Sequence, residues 1–254
     1  MSTISDMTIP LTRDAEEVVE RLKKMRLSGL ASSIESTLSD PNGDLESFCD
    51  RIKRAVNAEY ELRHNRKFGK LLKASGLRYP AACLDDSIYD TTRKLDYKLI
   101  EQINESKWID EGRDIIITGP TGAGKTYLSN TLCISAMHQY KTVRYFKASR
   151  LIMEMEQARI EGIYKNQLDK MAGYDLIVID DFGLQELDVD MGRHLYEVID
   201  CREGRKSTVF ISQFEVSEWF PLFQNDSFAD ATISRMTAHA YRISMHGRNM
   251  RNSS

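Results

Sequence analysis

The 254 residues allow one large domain, or a domain of ordinary size with a smaller one beside it. With 41% hydrophobic and 29% charged residues the chain has ample material for a core, and its net charge of −3 carries no global signal for nucleic acid, so any such role must rest on local patches. No stretch approaches the ~18 apolar residues of a membrane span, and the first residues lack the basic-then-apolar order of a signal peptide, which argues against a membrane role. Cys49, Cys83, Cys133 and Cys201 are too scattered for a disulfide framework or a metal site and read as reduced thiols of a cytoplasmic protein.

Residues 1–11 carry no helical or strand periodicity. A helix is predicted from Thr12, which can cap it, with Asp14, Glu16 and Glu17 in a first turn that favours acids. Val18, Val19, Leu22 and Met25 fall on one face; Ser28-Gly29 weakens the helix, although Leu30, Ile34 and Leu38 continue the stripe. Asp40-Pro41-Asn42-Gly43 reads as a turn. A longer helix is predicted from about Leu45 to Lys73, with Phe48, Cys49, Ile52, Val56 and Tyr60 as its apolar stripe and Gly76 as its stop. Between Arg51 and Lys73 it carries eight Lys or Arg against two acids, Glu59 and Glu61. Such a run is either a solvated face or an electrostatic footprint for DNA phosphates. Leu77 to Gly112 reads as a linker plus the edge of the next domain, placed to touch a nucleotide base, with a helix through Leu95, Leu99 and Ile103 leading to Trp108.

The stretch Asp114–Tyr127 organises the rest. Gly119-Pro120-Thr121-Gly122-Ala123-Gly124-Lys125-Thr126 matches G-x-x-x-x-G-K-[ST], the phosphate-binding P-loop. The glycines let successive backbone N–H groups converge on a phosphate, Lys125 reaches the β- and γ-phosphates, and the Thr126 hydroxyl can ligate Mg²⁺. Ile115-Ile116-Ile117 before it is a buried-strand run, and the helix opening at Tyr127 favours anions at its N-terminus. Downstream come a strand at 142–146, a Met-rich helix at about 149–158 and, after Gly162, a helix at about 164–171. Leu176-Ile177-Val178-Ile179-Asp180-Asp181 then reads as a Walker B strand. Its unbroken aliphatic run suits a strand buried on both faces, and the two carboxylates emerge at its C-terminal end. Asp180 is the candidate Mg²⁺ ligand, directly or through a water, and Asp181 the candidate to orient or deprotonate the attacking water. A helix at 192–203 and a strand at 207–213 follow, the strand ending in Ser212 and Gln213. The segment 231–251 holds Arg235, Arg242, Arg248 and Arg251 and no acid.

In this order the motifs resemble an AAA+-type ATPase. GPTGAGKTYL, LIVIDDFGL, STVFISQF, the Trp219 segment, ADATISRM and HGRNMR resemble, more narrowly, the IstB-like ATP-binding proteins, bacterial helper ATPases of insertion-sequence transposition related to the helicase loader DnaC. The resemblance spans about residues 12–251. It implies an α/β P-loop domain, a parallel sheet flanked by helices, at 113–254, preceded by a helical module for DNA binding or oligomerisation at 1–75 and a linker at 76–112. It implies ATP and Mg²⁺ as cofactors, and hydrolysis of ATP to ADP and phosphate. Ser212 and Gln213 would take the sensor-1 position, Arg235 would be an arginine finger completing a neighbouring subunit's site, and Arg251 would be a sensor-2 arginine touching the γ-phosphate. The shorter Asp181, where many AAA+ members carry Glu, suggests slow turnover. The partners implied are double-stranded DNA, a transposase and further copies of the chain, with Arg51, Lys53, Arg54, Arg63, Arg66 and Lys67 as candidate DNA contacts. The alternative is a DnaC-like loader acting with a replicative helicase on single-stranded DNA.

Overall fold

A computed structural model describes residues 10–40, 45–84 and 96–246. The chain divides into two compact units, Met1–Gly69 and Lys70–Ser254. Among the described residues no helix is long and apolar enough to cross a membrane.

The smaller unit is helical. Helix α1 (Arg13–Lys24) is capped by Thr12, whose Oγ1 accepts from the Ala15 amide at 3.4 Å, and carries acids in its first turn and bases in its last, as the helix dipole favours. The chain breaks at Arg26, in the left-handed region at φ +62°, so the stripe through Leu30 and Ile34 belongs to a separate helix, α2 (Ser28–Ser39). Pro41, Asn42 and Gly43, most of the predicted turn, lie outside the described residues. Helix α3 runs Phe48–Ser75 and stops at Gly76, which has φ +71°.

Leu27, at the N-cap of α2, has no side chain to cap it, and α3 supplies the cap instead. The Glu59 carboxylate accepts from the amides of Gly29 (2.7 Å) and Leu30 (3.2 Å) and from Arg63 Nε (2.5 Å). Arg63, together with those amides, holds this carboxyl below the usual range against a burial that works the other way. The helices touch backbone to backbone: a Cβ on Gly29 would sit 2.6 Å from the Ala58 carbonyl oxygen. Near that approach the buried positions of α3 are Ala55, which is small, and Glu59, whose carboxylate does the capping. The stripe predicted from Phe48 to Tyr60 therefore faces outward, with Phe48 at 70% and Tyr60 at 61% exposure and Cys49, Ile52 and Val56 exposed as well.

After the last turn of α3, the described part of the larger unit holds α4 (Tyr97–Asn104) and α5 (Lys107–Asp110), then alternates strands and helices. These are β1 (Asp114–Thr118), α6 (Lys125–His138), β2 (Val143–Lys147), α7 (Ala148–Ile160), α8 (Tyr164–Gly173), β3 (Leu176–Phe182), α9 (Val189–Asp200), β4 (Ser207–Ser212), α10 (Asp226–Ala238) and β5 (Ala240–Ser244). All five strands are parallel, in the order β2-β3-β4-β1-β5. The isoleucines of β1, the run Leu176–Ile179 and Val209–Ile211 are buried from both sides, as parallel strands under helices must be. Of the segment read above for its arginines, residues 231–238 are the second half of α10 and Ala240–Ser244 an edge strand pairing with β1, while Arg248 lies outside the described residues.

At the opposite end of the sheet from the P-loop, Arg202 is 1% exposed. Its guanidinium donates to the carbonyls of Met171, Tyr174 and Ser207 and to Thr208 Oγ1, and burial pulls its pKa down to about 10. Asp114 accepts from the Thr208 amide at 2.6 Å, and burial raises its pKa to about 7.

Candidate nucleotide site

The P-loop, residues 119–126, leaves β1 at its C-terminal end, where open parallel sheets place ligands. Gly119, Gly122 and Gly124 have φ of +138°, +83° and +91°, conformations in which an L side chain is strained. Gly119 faces a second restriction, because a Cβ there would overlap the Met245 carbonyl oxygen. The chain leaving β5 is tied down at this point, with the Met245 amide bonded to the Thr118 carbonyl at 2.8 Å. Ala123 is buried beneath the loop; Pro120 and Thr121 lie on its outer side.

Lys125 opens α6 and is 7% exposed, its Nζ donating to the carbonyls of Gly119 (2.6 Å) and Pro120 (2.9 Å). Thr126 donates to Asp180 Oδ2 at 2.8 Å, so the P-loop hydroxyl and the β3 carboxylate are joined directly. The hydroxyl and the single carboxylate fit a magnesium ion, which takes one or two protein oxygens and completes its shell with phosphate and water. Thr121 Oγ1 donates to Gln213 Oε1 at 2.7 Å, bringing the tip of β4 to the same loop. The stretch after α3 reaches α6 as well: the amides of Tyr79 and Cys83 donate to Asn130 Oδ1 (2.8 Å) and the Tyr127 hydroxyl (3.3 Å).

Asp180 and Asp181 are neighbours and would point to opposite faces of a regular strand. Here Asp180 bonds the Tyr145 hydroxyl (2.5 Å) and Asp181 pairs with Lys147 Nζ (2.8 Å). Tyr145 and Lys147 are two apart on β2, so both acids turn to one side. A register shift between Ile179 and Phe182 and a φ of +59° at Asp181 account for this. Bulges re-aim side chains beside active sites, and the left-handed residue costs on the order of 1 kcal/mol. Tyr145 and Lys147 were not singled out from sequence, since their only signal is the β2–β3 register, with Lys147 opposite Asp180.

The other predicted residues stand elsewhere. Ser212 is 1% exposed, and its hydroxyl donates to the Phe182 carbonyl (2.8 Å) and accepts from the Phe214 amide (3.0 Å), tying β3 to β4. Arg235, on α10, pairs with Asp200 (2.9 Å) and Glu203 (3.2 Å), lies over the Tyr196 ring and donates to the Ala231 carbonyl. Its partners among the described residues thus belong to α9, the turn after it and α10 itself, none to the P-loop. Arg251 lies outside the described residues. In the smaller unit Arg54 is engaged by Glu46 (2.9 Å) and Thr37 (2.7 Å), and Arg63 by Glu59 and the Arg26 carbonyl; Lys53, Arg66 and Lys67 are exposed and Arg51 is half-buried.

The family model described as IstB-like ATP binding protein matches residues 20–254. The chain belongs to this family. Among IstB-like relatives, an insertion-sequence ATP-binding protein of Sinorhizobium fredii, y4pL, is 30% identical over 237 residues, covering 93% of this chain and 96% of that protein. The insertion sequence IS1162 ATP-binding protein of Pseudomonas fluorescens is 31% identical, covering 80% of this chain and 87% of that one. Of solved structures, the DnaC helicase loader aligns with a TM-score of 0.52 at 18% identity over 59% of this chain and 87% of its own. DnaI aligns with a TM-score of 0.54 at 16% identity over 70% and 93%. This IstB-like chain therefore has the AAA+ P-loop fold, with a helical region before it.

Proposed function

We propose that this IstB-like protein is an ATPase that assembles on double-stranded DNA when ATP is bound and presents that DNA to a partner transposase, with hydrolysis resetting the assembly. The observation that carries the reading is the Thr126–Asp180 hydrogen bond, which unites the P-loop and the β3 acid in one site. Names borne by its relatives supply the setting, since they are ATP-binding proteins of insertion sequences.

Lys125 and the amides of residues 119–126 bind and orient the phosphates. Thr126 and Asp180 would hold Mg²⁺, which neutralises charge on the phosphates when bound. Gln213 orients the attacking water or the γ-phosphate, and Asp181 accepts the water's proton. For that step the Lys147–Asp181 ion pair must open, which together with the short aspartate arm favours slow turnover. Arg235 serves a neighbouring copy's site, and its exchange of Asp200 and Glu203 for phosphate couples hydrolysis to assembly. Exposed Lys53, Arg66 and Lys67 suit sequence-independent phosphate contacts.

Electron microscopy of the protein with duplex DNA tests this directly. Ordered assemblies with ATP and none with ADP are expected, as is an affinity that drops steeply with salt. Assembly indifferent to nucleotide would overturn the reading, and a clear preference for single strands would point to a helicase loader instead.

A further inference from the structure

The phosphate chemistry above leaves one group at the acids without a task. Tyr145, half-buried on β2, donates its hydroxyl to Asp180 Oδ2 at 2.5 Å. The same oxygen accepts from Thr126 Oγ1 (2.8 Å), and Oδ1 accepts from the Asp181 amide (2.7 Å). An ionised carboxylate offers about four acceptor positions. Three are filled, which leaves one on Oδ1 for a cation or a water of its shell. Asp180 is 3% exposed, so bulk water is poorly placed to substitute for a missing donor.

We propose that Tyr145 is a positioning residue of the metal site: its hydroxyl fixes the rotamer of Asp180, with Oδ2 bound to Thr126 and the phenol, so that the remaining position on Oδ1 would be open to a divalent cation or a water of its shell. The proposal rests on the reading of this site as one for ATP with magnesium. A purely architectural role is the competing explanation. It is the weaker one, because β2 and β3 are already paired along five register positions, from Val143↔Leu176 to Lys147↔Asp180. Outer partners that orient a metal ligand typically change metal affinity about 10–100-fold when removed.

The test uses the full chain with Tyr145→Phe, which keeps the ring and removes the hydroxyl. Mn²⁺ is titrated by electron paramagnetic resonance in the presence of saturating ATP, and ATP affinity is measured separately without metal. Mn²⁺ affinity is expected to fall about tenfold, with metal-free ATP affinity within about twofold of the parent. In an Asp180→Asn background the same change is expected to have no further effect, because the phenol acts through that carboxylate. Unchanged Mn²⁺ affinity, or an undiminished loss in the Asp180→Asn background, would overturn the proposal. So would a Tyr145→Phe protein that has lost metal-free ATP binding, since the phenol would then support the fold. A parent protein that binds no ATP at all would instead bring down the nucleotide site itself, a result separable from the others.

Discussion

Ile116 and Ile52 carry the same side chain, yet the first is 1% exposed in the middle of β1 and the second is 43% exposed on α3. The difference follows from what each element packs against. Strand β1 lies between β4 and β5, and Ile116 sits in the apolar core cluster with Phe146, Ile177 and Phe210. Helix α3 meets α2 through Gly29, Ala58 and the Glu59 carboxylate, and a contact that close leaves the bulky residues no inward place. Apolar periodicity thus identifies a face without saying whether this chain covers it.

Substitutions in the two units should separate accordingly. Lys125→Ala is expected to reduce ATP hydrolysis about a thousandfold, as removing a preorganised positive group from a transition state does, while helix content and the melting of the smaller unit stay as they were. Ile116→Ala should destabilise the larger unit by about 3 kcal/mol, whereas Ile52→Ala should cost less than about 0.5 kcal/mol. Urea denaturation of both variants decides it, and equal losses would mean that the α3 stripe is buried in solution.

The larger unit should also respond to pH through Asp114. Its folded pKa of about 7 stands above the ordinary 3.8, so the folded state holds the proton longer than the unfolded chain. The sign follows: this contribution is complete at low pH and is lost as pH rises towards and through 7, by about 2 kcal/mol between about pH 5 and pH 7. Urea midpoints should fall over that window in the parent protein and flatten in Asp114→Asn. In the smaller unit Gly29→Ala is expected to cost about 1–2 kcal/mol, since the added methyl meets the Ala58 carbonyl, with ATP hydrolysis by the free protein unaltered.

How far the sequence could be read depended on how local each signal was. The P-loop and the acids of β3 were legible because cradling a phosphate and ending a buried strand in carboxylates impose local, contiguous patterns. The strands β1 to β4 could be read for the same reason. Edge strand β5 and its neighbour α10 could not, because Ala240-Tyr241-Arg242-Ile243-Ser244 has one buried apolar side chain and becomes a strand by pairing with β1. Tyr145 and Lys147 escaped notice because they matter through a neighbour 35 positions away, from Tyr145 to Asp180. Ser212, singled out for sitting at a strand tip, turned out to use its hydroxyl on the backbone.

Position 119 has no spare room, because the first turn of the P-loop lies against the backbone leaving β5. A side chain added at position 119 would therefore have to displace Met245, and a shift of Met245 would bear on the loop where the triphosphate would rest.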